Sequence, residues 1–207
     1  MANRRILVTG FEPWGQWTRN PSGEIADELN GDRIGGYDLV TGVLPVRFED
    51  DFRAALSLIE HHRPDAVVSL GLGGGPTLRM EKVALNLKGV DGGDVRILEE
   101  GPDAWFSALP IEAMVRRCRE ADVAAVVSYH AGTFMCNHIM YRLRQMAEGV
   151  GPDIPTGFIH LPPMPEQVGG VGEALGMPKP LIKKGVMESL AALAETLGNQ
   201  TSWHDVQ

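Results

Sequence analysis

Short apolar runs recur along the chain, each followed by an amphipathic stretch, and this alternation limits the possible folds more than any other feature. The runs are Ile6-Leu7-Val8, Leu39-Val40 with Val43-Leu44, Ala66 to Leu70, Val123 to Val127 and Phe158 to Leu161. Runs with so few polar interruptions suit strands buried on both faces of a parallel sheet. The stretches between them carry apolar residues at helical spacing. Helices are expected from Asn20-Pro21-Ser22 to about Leu29, from Phe48 to His62, from Pro110 to Glu120, from Met135 to Glu148 and from Lys179 to about Leu197. Leu78 to Leu87 alternates weakly and is expected as extended chain. Gly89 to Glu100, with Asp91-Gly92-Gly93-Asp94, is expected as a turn or hairpin. The polar tail, 198–207, is expected to fray. Alternation of this kind implies an α/β fold: an open three-layer α/β/α sandwich with a mostly parallel sheet. With 207 residues and no repeat or linker, residues 1–207 are expected to form a single domain.

Composition then removes whole classes of function. The net charge is −8 and no basic stripe occurs, which argues against nucleic acid and against an anionic membrane surface. No apolar run approaches the ~18 residues of a membrane-spanning helix, and the apolar core of the N-terminal segment is too short for a secretion signal. The expected location is therefore the cytoplasm, where the two cysteines, Cys118 and Cys136, have no reason to pair. No His/Cys/Asp cluster has zinc spacing, so no metal is expected. The loop Gly71-Leu72-Gly73-Gly74-Gly75-Pro76 fails the dinucleotide fingerprint at Pro76 and lacks the Lys-Ser/Thr of a phosphate loop. It is expected as a turn, or as backbone approaching a small ligand closely, and no cofactor is called for.

In a sheet of this type ligands bind beyond the carboxyl ends of the strands. Four segments fall there: Thr9-Gly10-Phe11, the glycine loop, Ser128 to Cys136, and His160. Cys136 follows a buried strand and a glycine turn and is expected in or near the first turn of a helix. There the unpaired N–H groups and the dipole favour thiolate over thiol and can hold an oxyanion. A small buried hydrophobe would occupy the same place. Cys118 lies mid-helix on an apolar stripe and is expected to be structural. A cysteine hydrolase also needs a base and an orienting group. His138, two residues from Cys136, points away from it on a helix. His61 and His62 sit at a helix end, and His130 suits a turn contact. His160 ends a buried strand at the site edge, where it is either the base or a satisfied core histidine. Spacing does not choose the orienting acid among the carboxylates; Glu81, interrupting a partly apolar segment, fits a solvated strand edge equally well.

Four motifs, in order, choose where spacing does not. They are Val8-Thr9-Gly10-Phe11-Glu12-Pro13-Trp14-Gly15 followed by Asn20-Pro21-Ser22; Glu81-Lys82-Val83-Ala84-Leu85-Asn86; Ser128 through Gly132-Thr133-Phe134-Met135-Cys136-Asn137-His138; and Gly157-Phe158-Ile159-His160-Leu161-Pro162-Pro163. Spread over most of the chain, they resemble the pyroglutamyl peptidase I family of cytoplasmic cysteine peptidases. The resemblance implies an open α/β/α sandwich and removal of an N-terminal pyroglutamyl residue from peptides without a cofactor. It implies a catalytic triad of Cys136, His160 and Glu81 working through an acyl-thioester, and a homotetramer. It also implies a substrate pocket built from Phe11, Trp14, Asn20, Leu72 and Phe134.

Three positions depart from the family pattern. Trp14 stands where Phe is usual, Leu72 where a glutamine is usual, and Asp91, in a shortened segment after Asn86, about where an arginine is usual. These changes bear on the acyl group rather than on the triad. They leave two other readings: a cysteine hydrolase acting on another small amide or lactam, and a small-molecule-binding relative without turnover.

Overall fold

The computed structural model describes residues 4–149, 154–168 and 176–204, with side chains through residue 199. Its centre is a seven-stranded sheet in the order β10-β5-β11-β4-β1-β3-β2. These strands are β1 (Arg5–Phe11), β2 (Arg33–Ile34), β3 (Tyr37–Leu44), β4 (Ala66–Leu72), β5 (Leu78–Glu81), β10 (Ala125–Ser128) and β11 (Thr156–Leu161). The four neighbours β11, β4, β1 and β3 run parallel. β10 is parallel to β5, whereas β5 is antiparallel to β11 and β2 to β3. The sheet is thus mixed but mostly parallel, as the apolar runs require. Two short antiparallel strand pairs lie outside it: β6 (Val83–Leu85) with β9 (Ala104–Phe106), and the hairpin of β7 (Lys88–Val90) with β8 (Gly93–Val95).

Helices cover both faces. On one face α1 (Pro21–Leu29), α3 (Ile111–Glu120) and α5 (Lys179–His204) pack through Ile25, Leu29, Met114, Ile182 and Leu190 onto Ile6, Val8, Val68, Leu70, Met80 and Ile159. On the other, α2 (Asp50–His62) and α4 (Met135–Glu148) pack through Phe52, Ile59, Ile139 and Leu143 onto Leu7, Phe11, Val67 and Phe158. The period of two along each strand sorts the residues. On β5, Leu78 and Met80 enter the first core, which leaves Arg79 and Glu81 on the α2/α4 face. On β11, Ile159 and Leu161 enter the first core, while Phe158 and His160 face α4. The active chemistry is therefore confined to one side of the sheet by alternation alone.

Most expected elements appear with boundaries shifted by a residue or two. α2 starts at Asp50 rather than Phe48 because Glu49 adopts φ 68°, a non-helical conformation. α3 starts after Pro110, which caps it. The weakly alternating Leu78 to Leu87 is split into β5 and β6 at Lys82, and the Gly89 region is the β7–β8 hairpin, with Asp91 exposed at its turn. β2 and β9 were not expected. α5 continues past Leu197 to His204, since each added residue gains one backbone hydrogen bond even where the sequence is polar. Residues 205–207 of the tail lie outside the described residues.

Candidate active site

Cys136 is the second residue of α4. The strand-to-helix passage turns at Gly132, whose φ is 81°, and Phe134 is the helix N-cap. The thiol is half-buried, at the end of the helix where first-turn N–H groups have no intrahelical partner. Gly71 on β4 lies close beside it. A Cβ at Gly71 would lie 2.8 Å from Cys136 Sγ and 2.5 Å from Phe158 Cζ. That glycine is required by space: the thiol occupies the volume a side chain would need.

His160 is paired with Gly71 across β11 and β4, which brings the imidazole beside the thiol. Its ring is packed edge-on against Phe158 at 4.9 Å. Behind it, Glu81 Oε1 lies 2.7 Å from His160 Nδ1, and the Glu81 side chain is wholly buried. The solvated strand edge considered for Glu81 is therefore not its environment. Burial raises the Glu81 pKa, but the hydrogen bond to His160 and the imidazolium charge outweigh it, so the carboxyl sits below its ordinary value. Burial likewise opposes charge on His160. Interactions with the adjacent Cys136 and with the Glu81 carboxylate overcome that, and the imidazole is pushed up to about 9. The pair of opposite shifts describes Glu81 and His160 each favouring the charged form of the other.

Arg79 stands on the same face of β5, opposite His160 in the antiparallel ladder. Its Nε is 3.6 Å from Glu81 Oε1, and Nη1 donates to the Gly74 carbonyl at 2.8 Å. Asn137, next to Cys136, donates to the carbonyls of Leu85 and Leu87 and accepts from Leu85 N–H. It ties the start of α4 to the chain that follows Glu81. Neither Arg79 nor Asn137 was singled out as a site residue from the sequence; the first shows only once β5 is known to be antiparallel to β11.

In front of the thiol is a pocket of about 260 Å³ lined by Phe11, Trp14, Asn20, Leu72, Phe134, Cys136 and His160. That is near the lower end of ligand cavities, ~300–1,000 Å³, and suits one small ring. All five residues expected to bind substrate are brought together here, with Val46, Ala131 and Met135 added. The aromatic wall is stacked: Trp14 against Phe134 at 5.4 Å, and Phe134 edge-on to Phe48 at 5.6 Å. Asn20 has a second task. Its Oδ1 accepts from Ser22 N–H and Oγ–H, and its Nδ2 donates to the Glu12 carbonyl, so it caps α1 as it lines the pocket.

The remaining candidates fall elsewhere. Cys118 is fully buried against Gly185 and Ser189, and burial pushes its thiol up. His130 Nδ1 accepts from Gly132 N–H in the turn before α4. His138 points away from the thiol into a buried cluster with Asp51 and Glu49. Among the described residues no group of His, Cys, Asp and Glu could hold a metal ion, and no helix is long and apolar enough to cross a membrane.

A family model described as pyroglutamyl peptidase matches residues 4–198. The chain belongs to that family. Family membership makes it a cysteine peptidase, a hydrolase. A pyrrolidone-carboxylate peptidase of Escherichia fergusonii is 40% identical over 173 residues, which cover 79% of this chain and 80% of that protein. The same-named protein of Coprothermobacter proteolyticus is 38% identical over 203 residues, covering 93% and 98%. The crystal structure of Bacillus amyloliquefaciens pyroglutamyl peptidase I superposes with a TM-score of 0.88 at 32% identity, over 93% of this chain and 98% of that one.

Proposed function

We propose that the chain removes N-terminal pyroglutamate from peptides with a Cys136–His160–Glu81 triad. The observation that carries this reading is the line from half-buried thiol to imidazole to buried carboxylate, opening onto a small aromatic pocket. The Cys136 thiolate attacks the carbonyl carbon that joins pyroglutamate to the next residue. The carbonyl electron pair moves to oxygen, and the oxyanion lies at the N-terminus of α4, where backbone N–H groups and the dipole stabilise it. The intermediate collapses, the C–N bond breaks, and His160 delivers its proton to the departing amine. A water then enters, gives a proton to His160, and cleaves the thioester to free pyroglutamate and thiolate. Glu81 accepts the Nδ1–H throughout, which fixes the ring and stabilises its charge.

Specificity in this reading comes from shape. A flat neutral lactam stacks against Trp14 and Phe134 and rests on Phe11, with Leu72 closing the side. Asn20 holds the wall by capping α1. The chain as a whole, residues 1–207, acts as one domain. A catalytic thiolate needs a reducing compartment, which supports the cytoplasm as its place of work. A homotetramer would cover exposed apolar side chains such as Phe106 and Tyr129, which are 66% and 69% accessible.

The test is release of aminomethylcoumarin from its pyroglutamyl amide, under reducing conditions, by the native chain and by Cys136→Ala. Turnover that falls by about 10³-fold or more in the variant is expected. Turnover that survives in Cys136→Ala overturns the mechanism. A native chain that leaves this amide intact while Cys136 alkylates rapidly is instead a hydrolase of another small amide or lactam.

A further inference from the structure

The pocket in front of Cys136 does not end at Trp14 and Leu72. The same two side chains also line a second groove, with Trp17, the glycine run 73–75, Pro163 and Val168. None of its described lining residues is charged. We propose that this groove is the subsite for the residue following the scissile amide, and that it selects an aromatic or bulky aliphatic side chain there. The proposal rests on the peptidase reading above and adds the leaving-group preference to it.

Direction along the site decides the occupant. His160 must give its proton to the departing nitrogen, so the departing chain leaves on the His160 side of the bond. On that side the next backbone is the strand end after β4. Gly73 N–H donates to the Leu161 carbonyl at 2.8 Å. A Cβ on Gly73 would lie 3.0 Å from both Cβ and Cδ2 of His160. The glycine run therefore lies directly against the proton donor and leads away from it into the groove. A peptide whose lactam fills the first pocket has one continuous apolar path outward, between Trp14 and Leu72.

The floor of that path is flat and held in place. A Cβ on Gly74 would meet no atom within 4 Å, so the space above it is open. The shelf beneath is pinned by Arg79 Nη1, which donates to the Gly74 carbonyl. The Trp17 backbone N–H donates to the Trp14 carbonyl at 3.0 Å, a turn that ties together the two tryptophans lining the groove. Two indoles over a glycine floor fit a flat or bulky apolar side chain. The Arg79 guanidinium lies against the same glycines, with Nη2 2.6 Å from where a Gly73 Cβ would be, so the selection expected of the groove is for apolar bulk and not against a carboxylate.

The experiment measures kcat/KM for three peptides, pyroglutamyl-Ala-amide, -Phe-amide and -Leu-amide, by the appearance of the new α-amine. The native chain is expected to prefer Phe and Leu over Ala by about tenfold, the size of a partly buried side chain's contribution. Trp17→Ala and Gly74→Leu are each expected to bring the Phe:Ala ratio to within about threefold of one. One removes a wall and the other fills the groove. The ratio is read within each variant, so a partly misfolded preparation cancels out. Equal values for Ala, Phe and Leu in the native chain would overturn the proposal, as would a Phe preference that persists in both variants. Cleavage of pyroglutamyl-Ala-amide marks the underlying activity separately. If no peptide is cleaved, the peptidase reading falls and the subsite with it. If Ala is cleaved without discrimination, only the subsite falls.

Discussion

The carboxylate of Glu81 lies 2.7 Å from His160 Nδ1 and is fully shielded from water. The Glu81 hydrogen bond and charge add to those of Cys136 in raising His160 to about 9. The imidazolium is needed to protonate the leaving amine, so kcat/KM is expected to fall as pH rises through about 9. Glu81→Gln keeps the shape and removes the charge. It is expected to move that alkaline limb to lower pH and to cut kcat by about 10²–10⁴-fold, the range for a triad deprived of its orienting carboxylate. A pH–rate profile of kcat/KM for both proteins checks the direction as well as the loss.

The Gly71 position yields a steric prediction. Gly71→Ala would put a methyl 2.8 Å from Cys136 Sγ and 2.5 Å from Phe158 Cζ. Neither neighbour can retreat cheaply: one begins α4 and the other lies in the core. Overpacking of this kind costs about 1–3 kcal/mol, and a thiol displaced by a fraction of an ångström loses its attack geometry. A drop of about 10²-fold in kcat, with a lowered urea midpoint, is expected.

The layers of the fold were legible in the sequence because apolar periodicity reports burial directly. The runs that became β1, β4 and β11 are buried on both faces, β3 is only partly buried, and the stripes of α1 and α4 marked their boundaries closely. β5 was harder. Arg79 and Glu81 break its apolar pattern, since its second face carries the site, and its antiparallel pairing with β11 depends on chain reversal far away in sequence. Position singled out Cys136 and left His160 open, because a strand end and a helix start are local features. Glu81 needed the family motifs, and Arg79 was not singled out at all. A carboxylate buried behind a histidine 79 positions away has no local signature.

The raised His160 pKa also enters the folding free energy. A folded-state value above the ordinary histidine value means the stabilisation is fully present below about 6.5 and is lost as pH climbs through about 9. Urea unfolding is therefore expected to show a midpoint that declines between pH 7 and pH 10. Cys136→Ala removes the partner whose charge interaction contributes most to raising His160, so its decline is expected to be shallower. Equal slopes in the two proteins would contradict the assignment of that contribution.

His138 offers a control for the neighbouring electrostatics. Its Nδ1 lies 2.9 Å from Asp51 and its Nε2 3.2 Å from Glu49, with Asp51 and His138 both fully buried. Glu49 is also bound by Arg142 and sits at φ 68°. The cluster fastens the start of α2 to α4 one turn from the thiol. Asp51→Ala leaves a buried polar partner unsatisfied and is expected to destabilise the fold by about 1–3 kcal/mol. Chemical denaturation measures this, and the alkaline limb of activity is expected to stay where Glu81 and Cys136 set it.

Arg79 separates an electrostatic account of the site from a merely structural one. Its guanidinium is 3.6 Å from Glu81 Oε1 and partly exposed, and its charge helps hold the Glu81 carboxyl down. Arg79→Gln removes a cation that partly neutralises Glu81. It also removes a like charge facing the imidazolium. Both changes favour protonated His160, so the alkaline limb is expected to move upward, by up to roughly one pH unit for a single charge at high effective dielectric. That is opposite in sign to the shift expected of Glu81→Gln. Arg79→Lys keeps the charge and is expected to leave the limb near its native position, even if the weaker hold on Gly74 raises KM. Loosening of the site by either substitution would lower the rate but would not send the two profiles in opposite directions. The sign of the shift, read from kcat/KM against pH for all three variants, therefore decides whether Arg79, Glu81 and His160 act as one line of charge.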